Sequence, residues 1–478
     1  RTERGWSPSE LAKKADLSVS YLNEIEKGKK YPKEAKIHSL AAALSLSFEE
    51  LTSSRLGKSM APLEALLRSN FLNELPLDIF GIELSKVVEI IAEAPTHVGA
   101  FISTLVELAR LYAVREENFY LAAMRAYQEL HNNYFEELEA AVDAFAVEHS
   151  LPLQARLEAT LLEDLLEQTY GIQPVFGGLD DFDKLQRLRA LYLPNEGKLL
   201  LRGDLTPSQR ALQVAKELGF QYLELKERSY TASLLKITSF EQVLNHFKAT
   251  YFAVALLVRK ELLVPDIKAF FESPDWEGNA LLDLLHKYQV SPETLFHRFS
   301  NLLPGSFGIE NLFFLRMIHE TAADRYVLDK ELHLNKAHQP HRSGLGLHYC
   351  RRWLSIGLLR EMQQMRASGR EVNTMVGVQH SRYFGTEDTY LCLSLARSGY
   401  PRSGHNSVIT MGILWNEEMR AKIRFGEDAR IRRREVNLVC ERCPIRDCQE
   451  RAHPPHLLEQ RQQRREMIEQ VNSLLEKE

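Results

Sequence analysis

Through the first fifty positions, apolar residues recur at helical spacing in short runs separated by polar turns. Ser7-Pro8-Ser9-Glu10 is a helix start: the serine caps, proline suits the first helical position, and the glutamate can return a bond to the cap. The helix predicted from Pro8 to Ala15 is short. Asp16-Leu17 turns the chain, and Ser18 caps a second helix with Leu22 and Ile25 on one face. Gly28 ends that helix, and after Pro32 a third amphipathic pattern carries Ile37, Leu40, Ala41 and Leu44.

Residues 52–60 have the composition of a linker. From 61 to about 149 the pattern is helical, broken at Pro76 and Pro95, with Leu105, Leu108, Leu111 and Tyr112 at spacings of three and four. That stretch is either a dimerisation element of long helices or a spacer packed on its own chain. From about 151 helix and strand alternate. Strands are expected at 188–193 and 198–201 around an Asn195-Glu196-Gly197 turn, then a helix capped by Thr206 that runs through Gly219. A further helix is expected from Phe240 to Leu262. Beyond 290 the pattern is mixed, with a strand at Val408–Leu414 and a charged, exposed helix over 456–478.

Charge changes this picture locally. A net charge of −5 gives no general attraction to nucleic acid, so DNA binding requires a local patch, and Lys27, Lys29, Lys30, Lys33 and Lys36 form one beside the second helix. No run of apolar residues is long enough to span a membrane, and no signal sequence opens the chain. Five cysteines, three of them at Cys440, Cys443 and Cys448, do not make a secreted disulfide framework; a cytoplasmic, reducing location is expected.

The segment SPSELAKKADLSVSYLNEIEKGKKYPKEAKIHSLAAALSLSFEEL resembles the lambda-repressor-like (XRE) helix-turn-helix family, core position by core position. Ala12 and Ala15 are small where two helices must cross closely. The resemblance implies that the second helix enters the major groove of a double-stranded operator. Ser18, Val19, Ser20, Tyr21 and Asn23 would face the DNA, with Asn23 the candidate adenine reader, and Lys27, Lys29 and Lys30 would meet phosphates. Such modules act as homodimers or higher homo-oligomers. The sequence departs from the family at Pro8, where glutamine usually touches phosphate, and the family's first helix is missing or truncated.

Residues 206–263 resemble the ImmA/IrrE metallopeptidase family, whose helix ends in H-E-L-G-H. Zinc needs two histidines at i and i+4 with a glutamate between them as general base. Here the five residues are Lys216, Glu217, Leu218, Gly219 and Phe220, and the acidic pair expected downstream is His246 and Lys248. A lysine and a phenylalanine cannot ligate zinc, so the scaffold is kept, the chemistry is lost and the chain is not expected to be an enzyme. The competing reading, a zinc peptidase that cleaves a partner repressor, would need the missing histidines. A third reading, an adaptor that uses its helices only for assembly, would bind no operator.

Cys440-x-x-Cys443-x4-Cys448 converges three thiolates on one centre, with Cys350, Cys392 and His453 as candidates for the fourth ligand. Thiolate sets suit zinc or an iron–sulfur cluster, and the spacing does not choose between them. VNLVCERCPIRDCQERAHPP, with HYCRRW upstream, resembles the C-terminal part of the XRE regulators of short-chain fatty-acyl metabolism, the propionate/methylcitrate and glyoxylate type. That resemblance implies an acyl-CoA effector and a cluster, of the 4Fe-4S kind, on Cys350, Cys440, Cys443 and Cys448. The arginines of 382–384, 397–402 and 430–434 could meet CoA phosphates but read better as solvated or ion-paired surface. The whole is expected to be an α+β multidomain chain. It comprises an all-α helix-turn-helix (1–55), a helical linker or dimerisation region (61–150), a mixed peptidase-like domain (151–290) and a mixed C-terminal effector and metal-binding domain (291–478).

Overall fold

The structure, a computed structural model, describes residues 5–26, 32, 34–46, 116–185, 188–231, 237–334, 347–399 and 404–475. The chain divides into two compact units, Arg1–Glu116 and Glu117–Glu478. The first carries three described helices: α1 (Pro8–Lys14), α2 (Val19–Glu26) and α3 (Glu34–Leu44). Ser7 and Glu10 form the expected reciprocal capping box, and Ser18 Oγ accepts the Tyr21 amide at 3.1 Å. Leu11, Ala12, Ala15, Leu22 and Leu40 make the core, with Leu17, Ile25 and Leu44 packed against it. Asp16 takes a left-handed φ of 53° at the turn, where Lys36 Nζ donates to its carbonyl at 3.2 Å. The long-helix pattern before residue 116 lies outside the described residues.

The second unit mixes helices with two sheets. It opens with α4 (Glu116–Leu130), α5 (Glu136–Glu148) and α6 (Ala159–Tyr170), which lead into β1 (Gln173–Phe176), β2 (Ala190–Leu193) and β3 (Lys198–Leu201). These strands form a sheet of order β1-β3-β2, with β1 parallel and β2 antiparallel to β3. The expected turn is present, with Gly197 at φ 60°. β1 has no counterpart in the expectations from sequence: it is four residues long and contains Pro174, which an edge strand tolerates because one side of its backbone has no ladder partner among the described residues.

α7 (Pro207–Tyr222) follows, capped reciprocally by Thr206 and Gln209, and packs on α8 (Phe240–Leu257). The crossing is close at Gly219, where an added Cβ would lie 2.9 Å from the Phe252 ring. The single helix expected through Leu262 is in fact two, α8 and α9 (Lys260–Glu272). The break falls at Val258, whose carbonyl accepts Arg298 Nε at 2.8 Å instead of continuing the helix.

After α10 (Gly278–Tyr288) and α11 (Pro292–Phe307), a six-stranded sheet is built from β4 (Leu312–Glu320), β5 (Arg325–His333), β6 (Thr374–Tyr383), β7 (Thr389–Ser398), β8 (His405–Leu414) and β9 (Arg432–Val436). Its order is β5-β4-β8-β7-β6-β9, antiparallel throughout except for the parallel β6–β9 pair. α12 (Leu354–Ala367) lies on β6, β7 and β8 and buries Ile356, Leu359 and Met362. α13 (Glu417–Lys422) precedes β9. The last helix, α14 (His456–Leu475), has no buried residue, as its charged pattern predicts.

Candidate DNA-reading helix and candidate metal centre

In the first unit, Ser18, Val19 and Ser20 at the start of α2 are exposed, while Tyr21 and Asn23 are half-buried. Leu22, between them, is 2% exposed and turns inward. One helix thus presents short side chains, two serines and a valine, at its N-terminal end and anchors itself through Leu22. Lys27, Lys29 and Lys30 lie outside the described residues.

In the second unit, α7 carries the five residues set against the H-E-L-G-H pattern. Lys216 Nζ lies 2.8 Å from His246 Nε2. Burial, with Lys330 and Arg228 adding to it, lowers the Lys216 amine to about 7. Burial and the neighbouring Lys216 likewise hold His246 well below the usual imidazole range, so the neutral ring is the acceptor for the amine. Glu217, the residue in the general-base position, is clamped by both guanidinium nitrogens of Arg228 at 2.7 and 2.6 Å and by Gln221 at 2.8 Å. Both partners of that ion pair are under 10% exposed. The Arg228 guanidinium also rests 3.6 Å over the Phe220 ring. The glutamate's lone pairs are therefore spent on an arginine. Replacing Lys216 and Phe220 together by histidine is expected to add no zinc to what the unsubstituted chain binds, because Arg228 would still occupy Glu217 and no acidic partner stands at His246 or Lys248. Metal analysis of the dialysed variant beside the unsubstituted chain checks this, and one additional tightly held zinc per chain would contradict it.

The C-terminal cysteines converge. An isolated bridge pairs Tyr349 with Val439; Cys350 N donates to Leu438 O at 3.1 Å and Cys440 N to His348 O at 2.8 Å. This two-rung ladder joins segments about ninety residues apart and sets Cys350 beside Cys440. The loop from Cys440 to Cys448 wraps one guanidinium: Arg451 donates to Cys440 O at 3.0 Å, to Cys443 O at 3.2 Å and to Ile445 O. Cys350, Cys440, Cys443 and Cys448 line one small pocket, together with Arg352, Val439, Ile445 and Arg451. Backbone amides point at two of the sulfurs, Asn437 N at Cys350 Sγ (3.4 Å) and Ala452 N at Cys440 Sγ (3.5 Å). All five cysteines are free thiols.

Of the three candidates for a fourth ligand, only Cys350 lines this pocket. Cys392 is buried within β7, where burial pushes its thiol up to about 12 and Sγ donates to Tyr390 O. His453 stands instead with His348 and Glu441, a grouping that the spacing of the cysteines did not suggest. The sequence held one signal for it: each of the three lies within five residues of one of the four pocket cysteines, His348 beside Cys350 and the other two beside Cys440 and Cys448. The arginine runs are engaged by acids: Arg382 by Glu435, Arg430 by Asp428, and Arg434 by Glu450. Residues 400–403 lie outside the described residues.

The helix-turn-helix family model (HTH_3) matches residues 1–51. These residues are a helix-turn-helix DNA-binding domain. No curated protein matches the chain. Among solved structures, a Mycobacterium tuberculosis transcriptional regulator is similar at 18% identity and a TM-score of 0.48, over 69% of this chain and 92% of that one. No described helix is long and apolar enough to cross a membrane.

Proposed function

We propose that this chain is a sequence-specific DNA-binding transcription regulator, acting as a homodimer, whose C-terminal part senses a short-chain acyl-CoA and is organised by an iron–sulfur cluster. The observation that carries the reading is the helix-turn-helix over 1–51. One such module reads a single half-site, so a dimer on an inverted repeat follows from groove geometry.

Cys350, Cys440, Cys443 and Cys448 would hold the cluster. The chemistry of the donor set supports it: four thiols on one pocket, with amide hydrogens directed at two sulfurs, the contacts that tune such clusters. A bound cluster would supply an oxidant-sensitive tie between two distant segments. Acyl-CoA is supported by the resemblance of the cysteine segment to fatty-acyl regulators. A surface pocket of about 450 Å³ lies against that segment, lined by Arg351, Arg360 and Arg451 together with Asp324 and Glu450.

The regulator reading is tested on an operator selected from random duplexes. Asn23→Ala is expected to weaken operator binding by about 1–3 kcal/mol and binding to random DNA hardly at all. Lys29→Ala is expected to weaken both and to flatten the salt dependence. Equal losses on both DNAs for Asn23→Ala would remove it as a base reader, and failure to select any sequence would overturn the reading.

A further inference from the structure

His348, Glu441 and His453 each offer a ligand atom, and the three lie within 4.8 Å of one another. His348 Nδ1 is 2.7 Å and His453 Nδ1 is 3.8 Å from the same oxygen, Glu441 Oε1. The two imidazole rings are nearly parallel, 11° apart, with centroids 4.9 Å from each other.

The carboxylate between them is pre-positioned. Glu441 is 2% exposed, and its two oxygens accept the His348 backbone amide at 3.0 and 3.1 Å. The ladder that joins Cys350 to Leu438 and Cys440 to His348 fixes this pairing. The histidines, by contrast, are about two-fifths exposed, at 41% for His348 and 40% for His453. His453 also lines an open surface pocket of about 760 Å³, and His456 stands on its other side at a ring separation of 5.2 Å. The result is a rigid buried anion, two imidazoles turned on it, and an open way in.

We propose that His348, Glu441 and His453 form a binding site for a divalent transition-metal ion of the zinc type, separate from the four-cysteine pocket. Two imidazole nitrogens and one carboxylate oxygen are a borderline donor set, which favours zinc over magnesium or calcium, whose sites are built from oxygen. Zinc bonds of about 2.0–2.2 Å in a tetrahedron place ligand atoms roughly 3.3–3.5 Å apart. The observed 2.7 and 3.8 Å separations from Glu441 Oε1 bracket that value, and the two imidazole nitrogens lie within 4.8 Å of each other, a gap that a small rotation of two partly exposed histidines closes. The fourth position would face the open pocket and take water or an anionic ligand. An ion here would clip together the same two segments that carry the cysteines, since His348 precedes Cys350 by two residues and Glu441 follows Cys440.

The test uses the full chain, loaded with one equivalent of Zn²⁺ and dialysed against a weak chelator. Zinc X-ray absorption is expected to show nitrogen and oxygen neighbours at roughly 2.0–2.2 Å. His453→Ala, at a two-fifths-exposed position that tolerates truncation, is expected to weaken zinc binding at least about tenfold while leaving the metal on the cysteines in place. Glu441→Gln gives the same loss if it folds; His453→Ala decides the matter if it does not. A zinc shell made of sulfur, no zinc retained by the full chain, or unchanged affinity in His453→Ala would each overturn the proposal.

Discussion

Replacing Arg298 with alanine is expected to destabilise the second unit by about 3–5 kcal/mol, the cost of leaving a buried carboxylate without its partner. Arg298 is fully buried, and both its terminal nitrogens hold Glu139, at 2.5 and 2.9 Å. Tyr251 donates to the same carboxylate at 2.7 Å. The pair ties α5 to α11, while the arginine's third nitrogen secures the Val258 carbonyl at the α8–α9 break. Urea denaturation of the purified variant measures the loss. The double exchange of Glu139 and Arg298 for glutamine and methionine is expected to lose much less, because no charge is left buried alone.

The same pair gives a pH dependence. Burial pushes the Glu139 carboxyl up, and Arg298 outweighs it, so the folded-state value lies below the ordinary one. A depressed carboxyl contributes stability above its unfolded value of about 4.3, and that contribution is lost as pH falls through the folded value. Wild-type midpoints should therefore drop below about pH 4, and less so in the double variant. A mild effect of Arg298→Ala, under about 1 kcal/mol, would show that Glu139 is solvated or otherwise paired.

Cys443→Ser is expected to abolish the iron content of anaerobically purified protein, from about four atoms per chain to near zero, together with its visible colour. Its loop has few apolar residues of its own and is held by Arg451 and the short ladder to Tyr349, so a metal bound there would also contribute folding free energy. Residues 437–455 of the variant should become the first point of proteolysis. Colourless wild-type protein with one zinc on sulfur would keep the tie and replace the cluster. Metal-free protein that stays folded and responds to acyl-CoA would reject both.

What could be read from the sequence was what local physics decides. The helix-turn-helix was legible because caps, turn and core lie within fifty residues, and Ser7, Ser18, Ala12 and Leu22 do locally what their types prefer. The cap of α7, the β3 strand and the exposed α14 were legible for the same reason. The six-stranded sheet was mostly hidden: only part of β8 was expected. β7 and β8 are buried on nearly every residue, so they carry no alternation of apolar and polar positions, and their partners are far away in sequence.

The charged sites divide in the same way. The sequence showed that Lys216 and Phe220 cannot hold zinc and that three cysteines converge. Only the tertiary structure decided that Glu217 faces Arg228 and that Val258 breaks a helix for Arg298; it also sets Cys350, which the spacing left open and only the family resemblance had implied, in the pocket of the other three. Each of these is a pairing across a wide gap in the chain or a turn that no local pattern specifies. Residue type states what a side chain can do, and the backbone ladders and buried ion pairs determine which partner it meets.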